Sequence, residues 1–206
     1  MSLLIISSSQ RTDSQSAKVA SYIAKHSPEF KEVSHIELCR YKLDFWDGEQ
    51  ESKMAPTSPW PLISHQIRKA DALVLITPEW GGMASPLLKN FLLMCDNQDT
   101  AHKPALLVSV SSGISGAYPI AELRMNALKN NKLVALPDHL IIRNVTEVLN
   151  HLDVKQKVID PREVDLRQRI KYSLYMLHQY SESLAMIRHR HENEPYPKQQ
   201  EYCYGM

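Results

Sequence analysis

No apolar run in the 206-residue chain approaches the roughly 18 to 20 residues that a membrane-spanning helix needs. Neither sign of charge is in excess. Lys and Arg number 24 and Asp and Glu 23, leaving a net charge of +1. That balance argues against a dedicated nucleic-acid binder, which carries a basic excess or stripe, and against an acidic disordered chain. Cysteine is scarce: Cys39, Cys95 and Cys203 cannot all pair, and none forms a Cys-x-x-Cys. Reduced thiols in a cytoplasmic protein are therefore expected, not a disulfide frame or a zinc site. The start, Met1-Ser2-Leu3-Leu4-Ile5-Ile6, lacks the basic opening and the small-residue cleavage site of a secretory signal. No serine sits in a Gly-x-Ser-x-Gly elbow, and no loop ends in the Gly-Lys-Ser/Thr of a Walker A motif.

What is present is an alternation of short apolar runs with helical patterns. Five runs read as strands: Leu3-Leu4-Ile5-Ile6, residues 33–38, residues 72–76, residues 105–110, and Leu133-Val134-Ala135-Leu136, which should stop at Pro137. Three of them are almost continuously apolar, as parallel strands covered on both faces are. Helical patterns fall over residues 14–26, 61–70, 86–95, 119–130 and about 161–189. Ser14 is a candidate N-cap, and Pro86 suits a first helical turn. Strand–helix alternation with right-handed crossovers predicts a doubly wound α/β sheet. Residues 46–61, polar and with three prolines, read as a loop over the sheet edge, and residues 144–160 as an irregular connection. One domain over residues 1–190 is expected. A polar tail over 191–206 should follow, mobile or pinned on a neighbouring subunit through Tyr196, Tyr202 and Tyr204.

In an open parallel sheet, ligands bind beyond the carboxyl ends of the strands. Three loops there have suitable chemistry. Residues 7–16 offer Ser9, Arg11, Thr12, Ser14 and Ser16 beside a helix N-terminus. Free N–H groups and the helix dipole favour a phosphate there, and a guanidinium adds a charge-assisted contact. The alternative is a polar turn with Ser14 as a simple cap. Residues 77–86 contain Pro78, Glu79, Trp80, Gly81 and Gly82. Adjacent glycines let a backbone approach a flat ligand, although a glycine-rich turn would look the same. Residues 109–118 carry Ser111, Gly113 and Gly116, with room for a turn of unusual dihedrals or for a plain surface loop.

Taken together, these segments resemble a known family. Ser9-x-Arg11-x-x-Ser14, Pro78-Glu79-Trp80-Gly81 leading to Leu88-Lys89-Asn90, Lys103-Pro104, Ser111-x-Gly113-x-x-Gly116 and Leu123-Arg124 occur in the order and spacing of the NAD(P)H-dependent FMN reductases. The similarity spans about residues 1–185. Asp138-His139-Leu140-Ile141-Ile142 resembles the family's segment after the fifth strand. The resemblance implies a flavodoxin-like three-layer sandwich with a five-stranded parallel sheet of order 2-1-3-4-5. It implies FMN as cofactor, NADPH or NADH as co-substrate, and a quinone, azo compound, metal oxyanion or free flavin as electron acceptor. It also implies a homodimer or a dimer of dimers. An FMN-binding electron carrier without nicotinamide turnover is the alternative.

Carried over by position, the resemblance gives the FMN phosphate to Ser9, Arg11 and Ser14, with Ser16 where the family commonly has asparagine. It gives the isoalloxazine border to Pro78, Glu79, Trp80, Gly81 and Gly82, and the opposite side of the ring to Ser111, Gly113 and Gly116. Trp80 stands for the family's tyrosine, Gly81 for asparagine, Met83 for a small serine, and Ser8 for the glycine before the phosphate-loop serine. The changes at Gly81 and Met83 bear on ring-edge hydrogen bonds and pocket shape. No side chain is expected to act as a catalytic acid, base or nucleophile, because a flavin carries that chemistry itself. The nine histidines lack zinc-motif spacing, so no metal is expected. Trp46 reads as an aromatic packing its loop onto the sheet, or as a pocket wall.

Overall fold

The computed structural model describes residues 1–150 and 160–202. Its centre is a parallel sheet of β1 (Ser2–Ser7), β2 (Glu32–Glu37), β3 (Ala72–Pro78), β4 (Pro104–Val110) and β5 (Val134–Ile142), in the order β2-β1-β3-β4-β5. Seven α-helices lie among the described residues: α1 (Gln15–Lys25), α2 (Gln50–Lys53), α3 (Trp60–Lys69), α4 (Pro86–Met94), α5 (Asn97–Thr100), α6 (Ala117–Asn126) and α7 (Pro161–Asn193). The sheet order is the one implied by the resemblance.

The pleat of the strands sorts the core into two layers, because successive side chains point to opposite faces. Leu3, Ile5, Val74, Ile76, Leu106 and Val108 meet Val19 and Ile23 of α1 and Ile170, Leu174 and Leu177 of α7. Leu4, Ile6, Leu73, Leu75 and Leu107 meet Ile63 and Ile67 of α3, Leu88 and Phe91 of α4 and Leu123 of α6. Every residue of β3 and β4 is buried. That explains why both strands read as unbroken apolar runs, and each such side chain contributes about 1.5 to 3 kcal/mol.

Four boundaries differ from the sequence reading. The strand expected to stop at Pro137 continues to Ile142, so the segment 138–142 belongs to β5 and does not follow it. Between Ala105↔Ala135 and Leu107↔His139 the pairing slips, and Pro137 sits in the resulting bulge. Proline lacks the N–H of a ladder residue and is tolerated at a bulge on an edge strand. The Arg124 guanidinium donates to the carbonyls of Leu136, Pro137 (2.9 Å) and Asp138, which lost their ladder partners. The loop expected over residues 46–61 contains α2 and ends at Pro59, where α3 begins. It is held by the buried Lys53, whose ammonium donates to Met94 O (2.8 Å) and pairs with Asp96 (2.9 Å). The helix α6 ends at Asn126, short of residue 130. In turn, α7 runs past residue 190 to Asn193.

Residues 151–159 of the expected irregular connection lie outside the described residues, as do Cys203 and Tyr204. Cys39 and Cys95 are free thiols. No described helix is long and apolar enough to cross a membrane.

Candidate flavin site

Of the twelve residues singled out in the sequence, ten lie on the loops that leave the carboxyl ends of β1, β3 and β4, while Pro78 is the last residue of β3 and Ser16 lies in the first turn of α1. Hydrogen bonds lock these loops together. Ser8 N–H and Ser8 Oγ both donate to Ile76 O, at 3.1 and 2.8 Å. Ser85 Oγ donates to Ser8 O at 2.5 Å, and Ser85 N–H to Thr77 Oγ1 at 2.8 Å. Glu79 N–H donates to Val110 O at 2.9 Å, and Ser111 N–H to Ile142 O at 2.9 Å. The strand ends therefore fix the loops relative to one another through buried polar contacts.

In the first loop, Ser14 is the N-cap of α1 and its Oγ accepts from Ala17 N–H at 3.1 Å. Ser9 Oγ accepts from Arg11 N–H at 3.2 Å. Each hydroxyl thus spends a lone pair on the loop's own amide and keeps its proton to donate. As first-turn residues, Gln15 and Ser16 have N–H groups without an intrahelical acceptor. Arg11 is exposed and its guanidinium lies 5.3 Å from the Trp80 ring centroid, joining the first loop to the second. This is a cluster of donors at a helix N-terminus, and it suits a phosphate dianion. Ser16 differs from its expected role. Its hydroxyl is shut away from solvent with no hydrogen-bond partner, so only its backbone N–H faces the helix end as a donor.

The second loop is a tight hairpin. Trp80 and Met83 exchange backbone hydrogen bonds of 3.3 and 3.1 Å across Gly81 (φ 57°) and Gly82 (φ 79°). Positive φ at both central residues is the mark of a type I′ turn, and it explains the adjacent glycines. Trp80 is 40% exposed and Met83 57%. Pro78 is buried at the end of β3, and Glu79 is half-buried. The turn is anchored from α6: Glu122 accepts from Ala84 N–H at 2.7 Å and from Lys89 Nζ at 2.8 Å. Burial pushes the Glu122 carboxyl up, but those two hydrogen bonds and the Lys89 charge outweigh it and hold the group below its usual range.

In the third loop the two glycines separate. Gly116, the N-cap of α6, has φ 108°, and a Cβ there would lie 2.6 Å from Ile141 Cγ2. Gly113 has no positive φ and its added Cβ would meet open space, so the expectation of an unusual dihedral holds at Gly116 alone. Ser111 is buried, with Oγ accepting from Gly113 N–H at 3.3 Å. Arg143 donates to Ile114 O (2.6 Å) and Ser115 O (3.0 Å), closing the loop.

Sequence reasoning missed Thr77, Ser85, Glu122, Arg143 and Tyr118, whose ring lies 3.7 Å from where a Gly82 Cβ would be. It also missed the Ser7 Oγ–His35 Nε2 contact of 2.8 Å beside the first loop, where burial pushes the imidazole below its usual range. Only Ser85 carried a local signal, as a serine immediately before the Pro86 that opens α4. Trp46 takes the packing role expected of it and also borders a cavity. It packs on the second core layer, under the Lys53 ammonium at 4.4 Å, and it lines a cavity of about 910 Å³ with Lys89 and Glu122.

The profile of the NADPH-dependent FMN reductase family matches residues 1–147, a span that contains all three loops. The chain belongs to that family. A quinone reductase of Pseudomonas putida is 28% identical over 121 residues, 57% of this chain and 63% of the relative. The match thus spans less than two thirds of that relative's length. An NADPH azoreductase of a Bacillus species is 25% identical over 142 residues, 69% of this chain and 76% of the relative. Among solved structures, the flavoenzyme NAD(P)H:(acceptor) oxidoreductase FerB of Paracoccus denitrificans superposes with a TM-score of 0.67 at 18% identity. That superposition covers 88% of this chain and 97% of the other, and shows a shared flavodoxin-like fold. The cofactors that go with this FMN reductase family are FMN and NAD(P)H.

Proposed function

We propose that the chain is an NAD(P)H-dependent FMN oxidoreductase that passes electrons to a small-molecule acceptor: a quinone, an azo compound, a metal oxyanion or free flavin. The observation that carries this reading is the loop at the N-terminus of α1, where hydroxyls, free first-turn N–H groups and the Arg11 guanidinium gather, set beside a side-chain-free hairpin tip. Ser9 and Ser14 would hold the phosphate through hydroxyl protons, Gln15 and Ser16 through backbone N–H groups, and Arg11 through its charge. Gly81 and Gly82 would present bare backbone to the ring edge, while Trp80 and Tyr118 would supply flat exposed surface beside it. Gly116 keeps the third loop close to β5. FMN, when bound, would supply the two-electron redox chemistry between nicotinamide and acceptor. The residues' task is to bind, orient and shield.

We further propose that the protein works as a homodimer or dimer of dimers in the cytoplasm. Trp80, Met83 and Tyr118, exposed around the site, support a partner copy there. Leu88 of α4 offers no such surface, because it is buried in the core. The two free thiols are consistent with a reducing compartment.

The test is anaerobic rapid mixing of flavin-loaded protein with NADPH and with NADH, following flavin absorbance. Bleaching by either nicotinamide, reversed by a quinone, is expected. A protein that holds FMN but is bleached by neither is an electron carrier, and the enzymatic reading then fails.

A further inference from the structure

At the opposite end of the sheet, below the amino ends of β3, β4 and β5, lies a second cavity of about 970 Å³. That is within the range of small-molecule sites. Its lining is cationic. Lys103 is 94% buried by its 6% exposure, and its ammonium donates to Ile67 O (2.7 Å) and Arg68 O (3.0 Å) at the end of α3. Two acceptors leave the third ammonium proton without one, and among the described residues no carboxylate pairs with Lys103. Asp99 and Asp71 act on it only from beyond ion-pair distance, and a buried charge without a close counter-ion is costly. Arg188, on α7, pairs with Asp71 (3.2 Å) and donates to His102 O (3.2 Å). Arg68 is matched by Asp99 at 3.2 Å. Lys132, also in the wall, has no ion pair among the described residues. Of the lining carboxylates, Asp71 is taken by Arg188, which leaves Glu192 against Lys103 and Lys132.

The other walls are flat rings. His102 and His191 meet edge to face at 4.8 Å, and Tyr196 and Tyr202 at 6.2 Å. Both pairs line the cavity. Burial, and behind it His191, Arg188 and Lys132, push the His102 imidazole below its usual range.

We propose that this basal cavity is a second ligand site, separate from the flavin loops, for a small aromatic anion. A phosphate or carboxylate would meet Lys103, Lys132 and Arg188, and an attached ring would lie among His102, His191 and the two tyrosines. The proposal does not depend on the redox reading, because β1 to β4 separate the two sites by a strand length of roughly 20 Å.

The experiment is calorimetry and histidine-ring NMR on the FMN-saturated full chain, titrated with 5′-AMP, benzoate, adenosine and inorganic phosphate. The first two carry ring and anion, the third only the ring and the fourth only the anion. Binding of 5′-AMP or benzoate should move the His102 and His191 resonances and raise the His102 titration midpoint. Which of them binds more tightly tells phosphate from carboxylate. Lys132→Ala and Tyr202→Ala, both away from the core, should each weaken that binding by roughly five- to tenfold, while Arg11→Ala should leave it unchanged. No movement of the two histidines with any compound at millimolar concentration would overturn the proposal. So would binding that survives Lys132→Ala unweakened. Inorganic phosphate binding as tightly as 5′-AMP would overturn the aromatic part of it.

Discussion

Arg11 is the first residue whose replacement separates the readings of its loop. It is exposed, and Lys18, the next cation along the chain, is turned away: its ammonium donates to Val145 O (2.5 Å) and Val148 O (2.9 Å). Arg11→Ala should therefore weaken FMN by about tenfold, the lower end of a charged hydrogen bond, and leave riboflavin affinity unchanged. Parallel titrations with the two flavins check it, and equal loss for both would mean that Arg11 acts on the ring or the fold. Gly116 offers a second, structural test. A methyl at φ 108° within 2.6 Å of Ile141 Cγ2 cannot be accommodated without moving β5 or α6. Gly116→Ala should lower stability by about 1 to 3 kcal/mol in denaturant titrations, whereas Gly113→Ala should be close to neutral. The sequence made these two glycines look alike, because spacing does not report φ.

At the scale of elements, β5 is tied to α6 by one side chain. Arg124 satisfies three carbonyls of the Pro137 bulge and is the reason a strand resumes after a proline. Replacing it with Met keeps most of its stem packing but strands those carbonyls. The expected result is faster amide exchange over residues 138–142, while β1 and β3 keep their protection; uniform loss across the sheet would contradict it. Four strands were legible because parallel strands covered on both faces leave apolar runs that no helix period imitates. The second half of β5 was not, since its pattern is interrupted by Pro137 and its rescue comes from a residue thirteen positions earlier. For the same reason Glu122 was invisible: its partners Ala84 and Lys89 are 38 and 33 residues away in sequence. Local chemistry, such as the Ser14 cap and the Gly81-Gly82 turn, was readable, whereas bonds between distant segments were not.

For the whole molecule, pH acts most directly through the basal cavity. Burial, with Arg188 beside it, lowers Lys103 from 10.5 to about 8. Its folded pKa lies below the unfolded one, so between those values the unfolded chain binds more protons, and this group makes folding more favourable as pH rises. The stability of the wild type relative to Lys103→Met should therefore increase from pH 8 to pH 10.5, by up to about 3 kcal/mol. A difference that stays flat over that window would mean the ammonium is solvated. The same scale decides the assembly. Sedimentation should give a dimer or tetramer at micromolar concentration, and an active monomer would refute the proposed partner copy.

The length of α7 divides the protein's labour. Its last fully buried core side chain is Leu177, and Ser181 is its last buried residue, yet the helix continues to Asn193 and carries the chain on to Tyr196 and Tyr202. Among the described residues beyond Arg190, none adds a side chain to the buried core. A chain stopped at Arg190 should melt at nearly the same temperature and keep its FMN, while losing three of the four rings that line the basal cavity, His191, Tyr196 and Tyr202. The two ends of the sheet would then be free to change independently, one under selection for redox chemistry and the other for whatever anion it meets.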